Sequence, residues 1–233
     1  MNKQSYEQVG VAMTCRGYEE YVRMFDLSET DLAKGMVLDV AAGASSFTAE
    51  LNNRGYKAKA IDPRYARSVQ EWIEEASGEI AVSTSKIVKL AESFDWSYYG
   101  SPEQHRAGRE ASLARFSEHL STAAGKECYR AASLPELPFD SGTFSTVLCS
   151  HFLFLYADQF DFEFHRQSVL ELMRVCQSGG AVRIYPIYSL RWEPYPGMEQ
   201  LLQAIKEHGG KPEIRSSKLP FIPSSNDYLH ISI

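Results

Sequence analysis

Short apolar runs alternate with amphipathic helical patterns along most of the chain, and this alternation limits the fold more than any other feature of the sequence. The runs Met36–Val40 and Lys57–Ile61 have the length of buried strands, and Phe47–Asn53 between them has a helical pattern. Strands that alternate with helices in this way form a parallel sheet covered on both faces. Further strands are expected at 127–131, 143–149 and 181–187, and further helices at 18–27, 162–176 and 198–208.

Two more apolar runs, at 211–218 and 228–233, follow the last helical pattern. About ten residues separate them, which is too few for a right-handed helical crossover between parallel strands. These two strands are therefore expected to be antiparallel. Together the runs predict a Rossmann-like α/β fold with a seven-stranded sheet, in which six strands are parallel and the last strand is antiparallel.

The connection between the second and third expected strands, residues 64–126, is far longer than is usual in such folds. It contains helical patterns near 66–76 and 103–122, with a cluster of aromatic residues between them. We interpret it as a helical insertion that closes over the sheet edge or over a site as a lid. The whole chain, 1–233, is interpreted as a single domain with an N-terminal helical extension over residues 1–35.

The chain has 233 residues and a formal net charge of −6. This acidic balance argues against broad, salt-dependent binding to nucleic acid or to an anionic membrane, because both need a basic surface. The longest strongly apolar run, 152–157, is far shorter than the roughly 20 residues that span a bilayer. Residues 1–5 lack the apolar stretch of a signal peptide. We therefore expect a cytoplasmic protein that acts on a small molecule.

The four cysteines lie far apart, with no Cys-x-x-Cys pair and no histidine pair at the spacing of a zinc site. They are expected to be small side chains of the core in a protein that keeps its thiols reduced. No metal site is expected.

A turn of small residues, 41–46, follows the first expected strand, and an acidic residue ends the second. Ligands of open α/β sheets bind outside the carboxyl ends of the strands. Asp62 lies 19 residues beyond Gly43, a spacing typical of a carboxylate that accepts hydrogen bonds from ribose hydroxyls. The alternative is purely structural, with a compact turn at 41–46 and an Asp-Pro turn beginning at Asp62.

Four segments carry motif-like patterns in the order of the strands: Val-Leu-Asp-Val-Ala-Ala-Gly-Ala-Ser at 37–45, Leu-Pro-Phe-Asp-Ser-Gly-Thr-Phe-Ser at 137–145, Leu-Cys-Ser-His-Phe-Leu at 148–153, and the helix and glycine turn at 170–180. They resemble motifs of class I S-adenosylmethionine-dependent methyltransferases. The first resembles that family's Asp/Glu-x-Gly-x-Gly-x-Gly motif, and the second its Leu-Pro-Phe-x-Asp-x-x-Phe-Asp signature. The resemblance covers roughly residues 36–65 and 127–233.

The resemblance implies an enzyme that transfers the methyl group of S-adenosylmethionine to a small molecule by in-line displacement. It also implies cofactor-binding positions along the strand ends. These are Asp39, Ala41, Gly43 and Ser45 for the methionine part, Asp62 for the ribose, Ser133 and Leu134 near the adenine, and Ser150 beside the sulfonium.

Several positions depart from the family pattern. Ala41 and Ser45 replace two of the three motif glycines, Ser133 stands where many members have Asp, and Ser145 replaces the usual Asp of the second motif. These departures leave open a degenerate, non-catalytic member that serves as a binding or interaction module. A second alternative is an NAD(P)-dependent oxidoreductase, which fits less well because the turn lacks Gly-x-Gly-x-x-Gly.

His151 is the candidate catalytic residue, because it follows a buried strand at the expected mouth of the site. An imidazole with a pKa near 6.5 can accept a proton from a nucleophile at neutral pH; the alternative role is positioning or capping. Tyr18, Tyr99 and Tyr185 are candidate residues of a substrate pocket, although packing in the core explains each of them as well.

Overall fold

Seven strands form one sheet in the computed structural model, which describes residues 10–219 and 221–233. The strands are β1 (Met36–Val40), β2 (Lys57–Ile61), β3 (Tyr129–Arg130), β4 (Phe144–Ser150), β5 (Cys176–Tyr185), β6 (Lys211–Ser216) and β7 (Asp227–Ser232). The helices are α1 (Tyr18–Phe25), α2 (Glu29–Ala33), α3 (Phe47–Asn53), α4 (Val69–Lys89), α5 (Pro102–Ser121), α6 (Ala123–Lys126), α7 (Phe162–Val175) and α8 (Met198–Glu207). Residues 1–5, where the sequence argued against a signal peptide, lie outside the described residues.

The strand order is β3-β2-β1-β4-β5-β7-β6. The pairs β1–β2, β1–β4, β2–β3 and β4–β5 are parallel, and β7 is antiparallel to both of its neighbours, β5 and β6. The expected sheet of six parallel strands and one antiparallel strand is therefore confirmed. Because the order reverses between β1 and β4, the carboxyl ends of these two strands border the crevice where ligands of such sheets bind.

Both faces of the sheet are covered, and neighbouring residues of a strand enter different cores because their side chains alternate between faces. Leu38 and Val40 pack with α7 and α8 in one cluster. Val37 packs on the other face with Tyr21 of α1 and Phe47 of α3. A third cluster joins the small-residue turn after β1 to α4 and α5.

Helix α4 is about twice as long as the pattern near 66–76 predicts. Its buried residues Trp72, Ala76 and Ile80 recur every four positions, but the polar run Ser83-Thr84-Ser85 then hides the periodicity. The hydroxyls of Ser83 and Ser85 donate to the carbonyls of Ile80 and Val82 within the helix, so these residues are accommodated without ending it.

Strand β3 is shorter than the expected 127–131, because only its two residues pair with β2, at the sheet edge. Short edge strands limit unwanted pairing with other chains. Strand β5 begins at Cys176 rather than at 181, since α7 ends at Val175 and the chain pairs with Phe144 of β4 before a bulge.

No helix in the described part of the chain has the length and apolar character needed to cross a membrane. All four cysteines are free thiols, of which Cys15, Cys149 and Cys176 are buried and Cys128 is half-buried. Between residues 10 and 233, with Pro220 left aside, no three His, Cys, Asp or Glu side chains are grouped closely enough to hold a metal ion.

Candidate functional site

The turn after β1 is held in an unusual backbone conformation. Ala41 and Gly43 both have a φ of 55°, in the left-handed region that glycine adopts readily and alanine does not. Gly43 also lies close to another part of the chain, since a Cβ at this position would be 2.9 Å from the carbonyl oxygen of Thr14. The turn therefore needs glycine at 43 for two reasons, whereas at 41 it tolerates a strained alanine.

Residues 11–16, here called the strap, cross over this turn and hydrogen-bond to it. The N–H of Ala44 donates to the carbonyl of Thr14 at 2.9 Å, and the N–H of Ser46 donates to the carbonyl of Arg16 at 3.1 Å. The hydroxyl of Ser45 donates to the same Arg16 carbonyl at 2.8 Å. The backbone N–H groups of Gly43, Ala44 and Ser46 are thus paired within the chain.

Asp62, at the end of β2, is 3% exposed and lies against the turn. Its Oδ2 accepts from the N–H of Gly43 at 3.1 Å, and its Oδ1 accepts from the N–H of Arg64 at 2.9 Å. Burial raises the pKa of Asp62, against the effect of these hydrogen bonds and of the Arg64 charge. Arg64 also donates to the carbonyl of Val11 at 2.6 Å, so the same loop holds the carboxylate and the start of the strap.

Asp39, on β1, is 1% exposed. The hydroxyl of Tyr21 donates to its Oδ1 at 3.1 Å, whereas its Oδ2 has no hydrogen-bond partner among the described residues. Burial raises the pKa of Asp39 well above its usual range, and the charge of Asp62 adds to the shift. A buried carboxyl oxygen without a partner is costly, and it is an acceptor available to a ligand donor.

Ser150 and His151 lie where β4 ends. The Ser150 hydroxyl and Nδ1 of His151 are 2.8 Å apart, and the N–H of His151 donates to the carbonyl of Tyr185 at 2.7 Å. His151 has a φ of 52°, a conformation that bends the chain out of the strand. Burial, followed by the charges of Arg16 and Arg109, lowers the pKa of His151 well below its usual value, so the ring is neutral at physiological pH.

The structure brings only some of the predicted cofactor-binding and catalytic residues together. Asp39, Gly43 and Asp62 surround the turn, and Ser150 and His151 border it at the next strand end. Ser133 is exposed and pairs with Glu136 in a short bridge, and Leu134 packs in the core beneath the sheet.

A cavity of about 140 Å³ lies beside these strand ends. The strap, α4, α5, the ends of β4 and β5 and the loop before β7 enclose it. Tyr99, His151 and Tyr185 are part of its lining. Tyr18 lies elsewhere, stacked on Phe47 with a ring separation of 6.1 Å.

A buried charged cluster lies next to the cavity, and Tyr99 is the member of it that the sequence-based prediction included. Glu20 of α1 accepts from Arg109 of α5 at 2.6 and 2.7 Å, from Tyr99 at 2.6 Å and from Arg16 at 3.2 Å. Burial opposes ionisation of Glu20, but Arg109 and Arg16 outweigh it and lower the pKa of the carboxyl to about 2. His105 completes the cluster, with Nε2 3.0 Å from a guanidinium nitrogen of Arg109.

Two spacings hinted at this cluster. His105 and Arg109 are four residues apart on α5, the distance that places side chains on one face of a helix; Arg16 and Glu20 have the same spacing, although Arg16 lies just before α1. Nothing in the sequence links the two pairs, because Glu20 and Arg109 are separated by 89 positions.

His105 should make the protein sensitive to acid. Burial, with the charges of Arg109 and Arg16, lowers its pKa from 6.5 to about 2. Between about pH 2 and pH 6.5, His105 binds a proton in the unfolded chain but not in the folded chain. The free energy of unfolding therefore falls as the pH falls below 6.5. His105→Gln should remove about 2 kcal/mol of the loss between pH 7 and pH 5. Urea unfolding at both pH values, compared between the two proteins, isolates this contribution; equal losses would contradict it.

Comparisons with known proteins give one sequence relative and a set of similar folds. No family model matches the chain. "Uncharacterized protein MJ0045" of Methanocaldococcus jannaschii is 31% identical over 192 residues, which cover 82% of this chain and 84% of that protein. The N-methyltransferase NodS of Bradyrhizobium japonicum, solved with S-adenosyl-L-homocysteine, superposes with a TM-score of 0.50 at 12% identity, covering 91% of this chain and 85% of NodS. A SAM-dependent methyltransferase from Aquifex aeolicus gives 0.44 at 16% identity, covering 91% and 92%.

Proposed function

Because the chain belongs to the family of MJ0045 and has the fold of class I S-adenosylmethionine-dependent methyltransferases, we propose that it transfers a methyl group from S-adenosylmethionine to a small molecule. The observation that carries the proposal is the hydrogen bond between Gly43 and Asp62. It joins the small-residue turn after β1 to the carboxylate at the end of β2, beside the crevice between β1 and β4 where the strand order reverses and where such sheets bind nucleotide-like ligands.

The residues around the turn carry chemical groups suited to an adenosyl cofactor. Asp62 is a carboxylate suited to ribose hydroxyls, and the free Oδ2 of Asp39 can accept a hydrogen bond from an ammonium group. Gly43 leaves room for close approach once the strap has moved, since Met13 and Thr14 now lie against it. Cofactor binding therefore requires these two residues to leave the turn, and Asp62 to exchange the Gly43 N–H for the ribose.

Bound S-adenosylmethionine supplies an activated methyl group. The turn residues Ala41, Gly43 and Ser45 would hold its methionine part, Ser150 would lie beside the sulfonium, and Ser133 and Leu134 are the proposed contacts of the adenine. His151 is the proposed acceptor of the proton that the substrate loses, through Nε2 when Nδ1 donates to Ser150, but a pKa well below 6.5 makes it a weaker base than the sequence suggests. The insertion 64–126 acts as a lid, which excludes water from the reacting groups.

The competition between strap and cofactor gives a test. Met13 is 5% exposed and lies over Gly43, so Met13→Ala should weaken strap docking and raise the affinity for S-adenosylhomocysteine about 10-fold. Calorimetric titration measures the affinity. Met173→Ala is the matched control, because Met173 is similarly buried but packs against α8 and β7, far from the turn.

Three results would count against the proposed function or against the competition between strap and cofactor. Absence of binding by either S-adenosylmethionine or S-adenosylhomocysteine at millimolar concentration, in both the unaltered chain and Met13→Ala, would leave the degenerate, non-catalytic alternative. Weaker binding by Met13→Ala would show that the strap assists the cofactor and does not compete with it. Saturable binding of NADH in place of both adenosyl ligands would favour an oxidoreductase.

A further inference from the structure

The cavity beside the strand ends has one basic end. Arg16 and Arg109 both line it, with side chains 11% and 8% exposed. They share one counter-ion, because both bind the carboxylate of Glu20, which lies behind them. Two guanidinium groups balanced by one carboxylate leave a net positive charge at this end of the cavity.

Two nitrogen donors at the same end have no hydrogen-bond partner in the described part of the chain. Nε2 of His105 lies 3.0 Å from Nη2 of Arg109. Since a guanidinium nitrogen can only donate, Nε2 is the acceptor and the hydrogen of the neutral ring is on Nδ1. This Nδ1 and the Nε of Arg16 are buried and have no hydrogen-bond partner within the described residues. Both residues line the cavity, and because the two nitrogen atoms are themselves covered, an acceptor group held there can satisfy them after a small turn of either side chain.

The remainder of the cavity is mainly apolar. Ile80 and Ile87 of α4, Leu155, Trp192 and Phe221 contribute to its walls. Its volume of about 140 Å³ is close to the roughly 150 Å³ of an apolar protein cavity that holds benzene. The space is therefore suited to one six-membered ring or a branched chain of similar size.

Glu79 is the one acidic residue among the described residues of the lining, and it is half-buried on α4. Its charge disfavours a second anionic group on the ligand, whereas the basic end favours one. His105 and His151 also line the cavity, and both rings are uncharged at neutral pH. The basic end thus favours one anionic group on the ligand, and the rest of the lining favours an apolar body.

From these observations we infer that the cavity binds a small apolar monocarboxylate, with its carboxylate at Arg16 and His105 and its ring or branched chain among the aliphatic and aromatic walls. The assignment of this molecule as the methyl acceptor rests on the proposed function. Binding of the carboxylate itself does not, because the cavity and its basic end are formed without a cofactor.

Titration of the full chain with three probes tests the inference. Benzoate, benzamide and benzylamine each carry one phenyl ring and are similar in size, but they differ in charge. Benzoate should bind at least about 10-fold more tightly than either of the others, because the ionised acceptor pairs with the guanidinium. Arg16→Gln should weaken benzoate binding about 10-fold and leave benzamide binding nearly unchanged. Arg54→Gln removes the same charge from a residue that stacks on Tyr18 outside the cavity, and it should change neither.

Benzamide or benzylamine binding as tightly as benzoate would overturn the inference, as would no binding of benzoate at millimolar concentration. Both comparisons use the unaltered chain, so they test the inference even if Arg16→Gln fails to fold. In that case Arg16→Lys, which keeps the charge, should give an intermediate loss of affinity for benzoate. A parallel titration with S-adenosylhomocysteine separates the two proposals. Binding of benzoate without binding of S-adenosylhomocysteine supports this site and contradicts the proposed methyltransferase activity. Binding of S-adenosylhomocysteine without binding of benzoate supports the methyltransferase activity and contradicts this site.

Discussion

Arg109→Met is expected to lower the free energy of unfolding by about 3–5 kcal/mol, the usual cost of leaving a buried charge without its partner. Glu20 is 7% exposed and Arg109 6% exposed, and their bonds of 2.6 and 2.7 Å join α1 to the insertion helix α5. Without Arg109 the Glu20 carboxylate must either stay charged in the interior with Arg16 as its remaining cationic partner or take up a proton. Urea unfolding followed by circular dichroism measures the loss.

Two further variants make this test specific. Arg106→Met removes an arginine from the same helix, but its pair with Glu110 is about half exposed, so the loss should stay within about 1 kcal/mol. Adding Glu20→Gln to Arg109→Met should restore part of the stability, because the second change removes the unpaired charge. Equal losses for Arg109→Met and Arg106→Met would mean that the buried cluster contributes nothing beyond an exposed ion pair.

Gly43→Ala should cost about 2–4 kcal/mol of unfolding free energy, from the left-handed backbone and from crowding against a neighbouring segment. The new Cβ would lie 2.9 Å from the carbonyl oxygen and 3.1 Å from the nitrogen of Thr14. These are backbone atoms and cannot turn away as a flexible side chain can. The strap must therefore lift from the turn or the turn must change shape, and chemical denaturation reports the cost.

Ala41→Gly is the matched control, in the same turn and at the same φ of 55°. It removes a Cβ from the left-handed region, and the strain it relieves is offset by the greater freedom of glycine in the unfolded chain. The expected change is within about 1 kcal/mol. Gly43→Ala tolerated as well as Ala41→Gly would contradict the placement of the strap over the turn.

Much of the fold was predictable because the parallel strands are buried on both faces and read as short apolar runs. β1 and β2 have the expected bounds, and the antiparallel β7 followed from the short link that precedes it. The length of α4 was not predictable, since its last two turns carry serines and lysines around one buried residue, Ile87. The two-residue β3 depends on its partner at the sheet edge, which local sequence does not reveal.

The site was predictable only where strand order determines it. The spacing from Gly43 to Asp62 placed both at the ends of paired strands, and they hydrogen-bond there. The strap was missed because it binds the turn mainly through its own backbone carbonyls, which any residue carries. The pairing of Glu20 with Arg109 was missed because tertiary packing brings together helices that are distant in sequence.

The proposed function requires the turn at Gly43 and the Asp62 carboxylate to hold an adenosyl cofactor once Met13 and Thr14 have left the turn. A crystal structure of the chain with S-adenosylhomocysteine tests it most directly. We predict ribose hydroxyls about 3 Å from the Asp62 carboxylate, with Met13 and Thr14 displaced from Gly43 and Ala44. A structure in which the ligand lies elsewhere, while Thr14 still accepts from Ala44, would contradict the account.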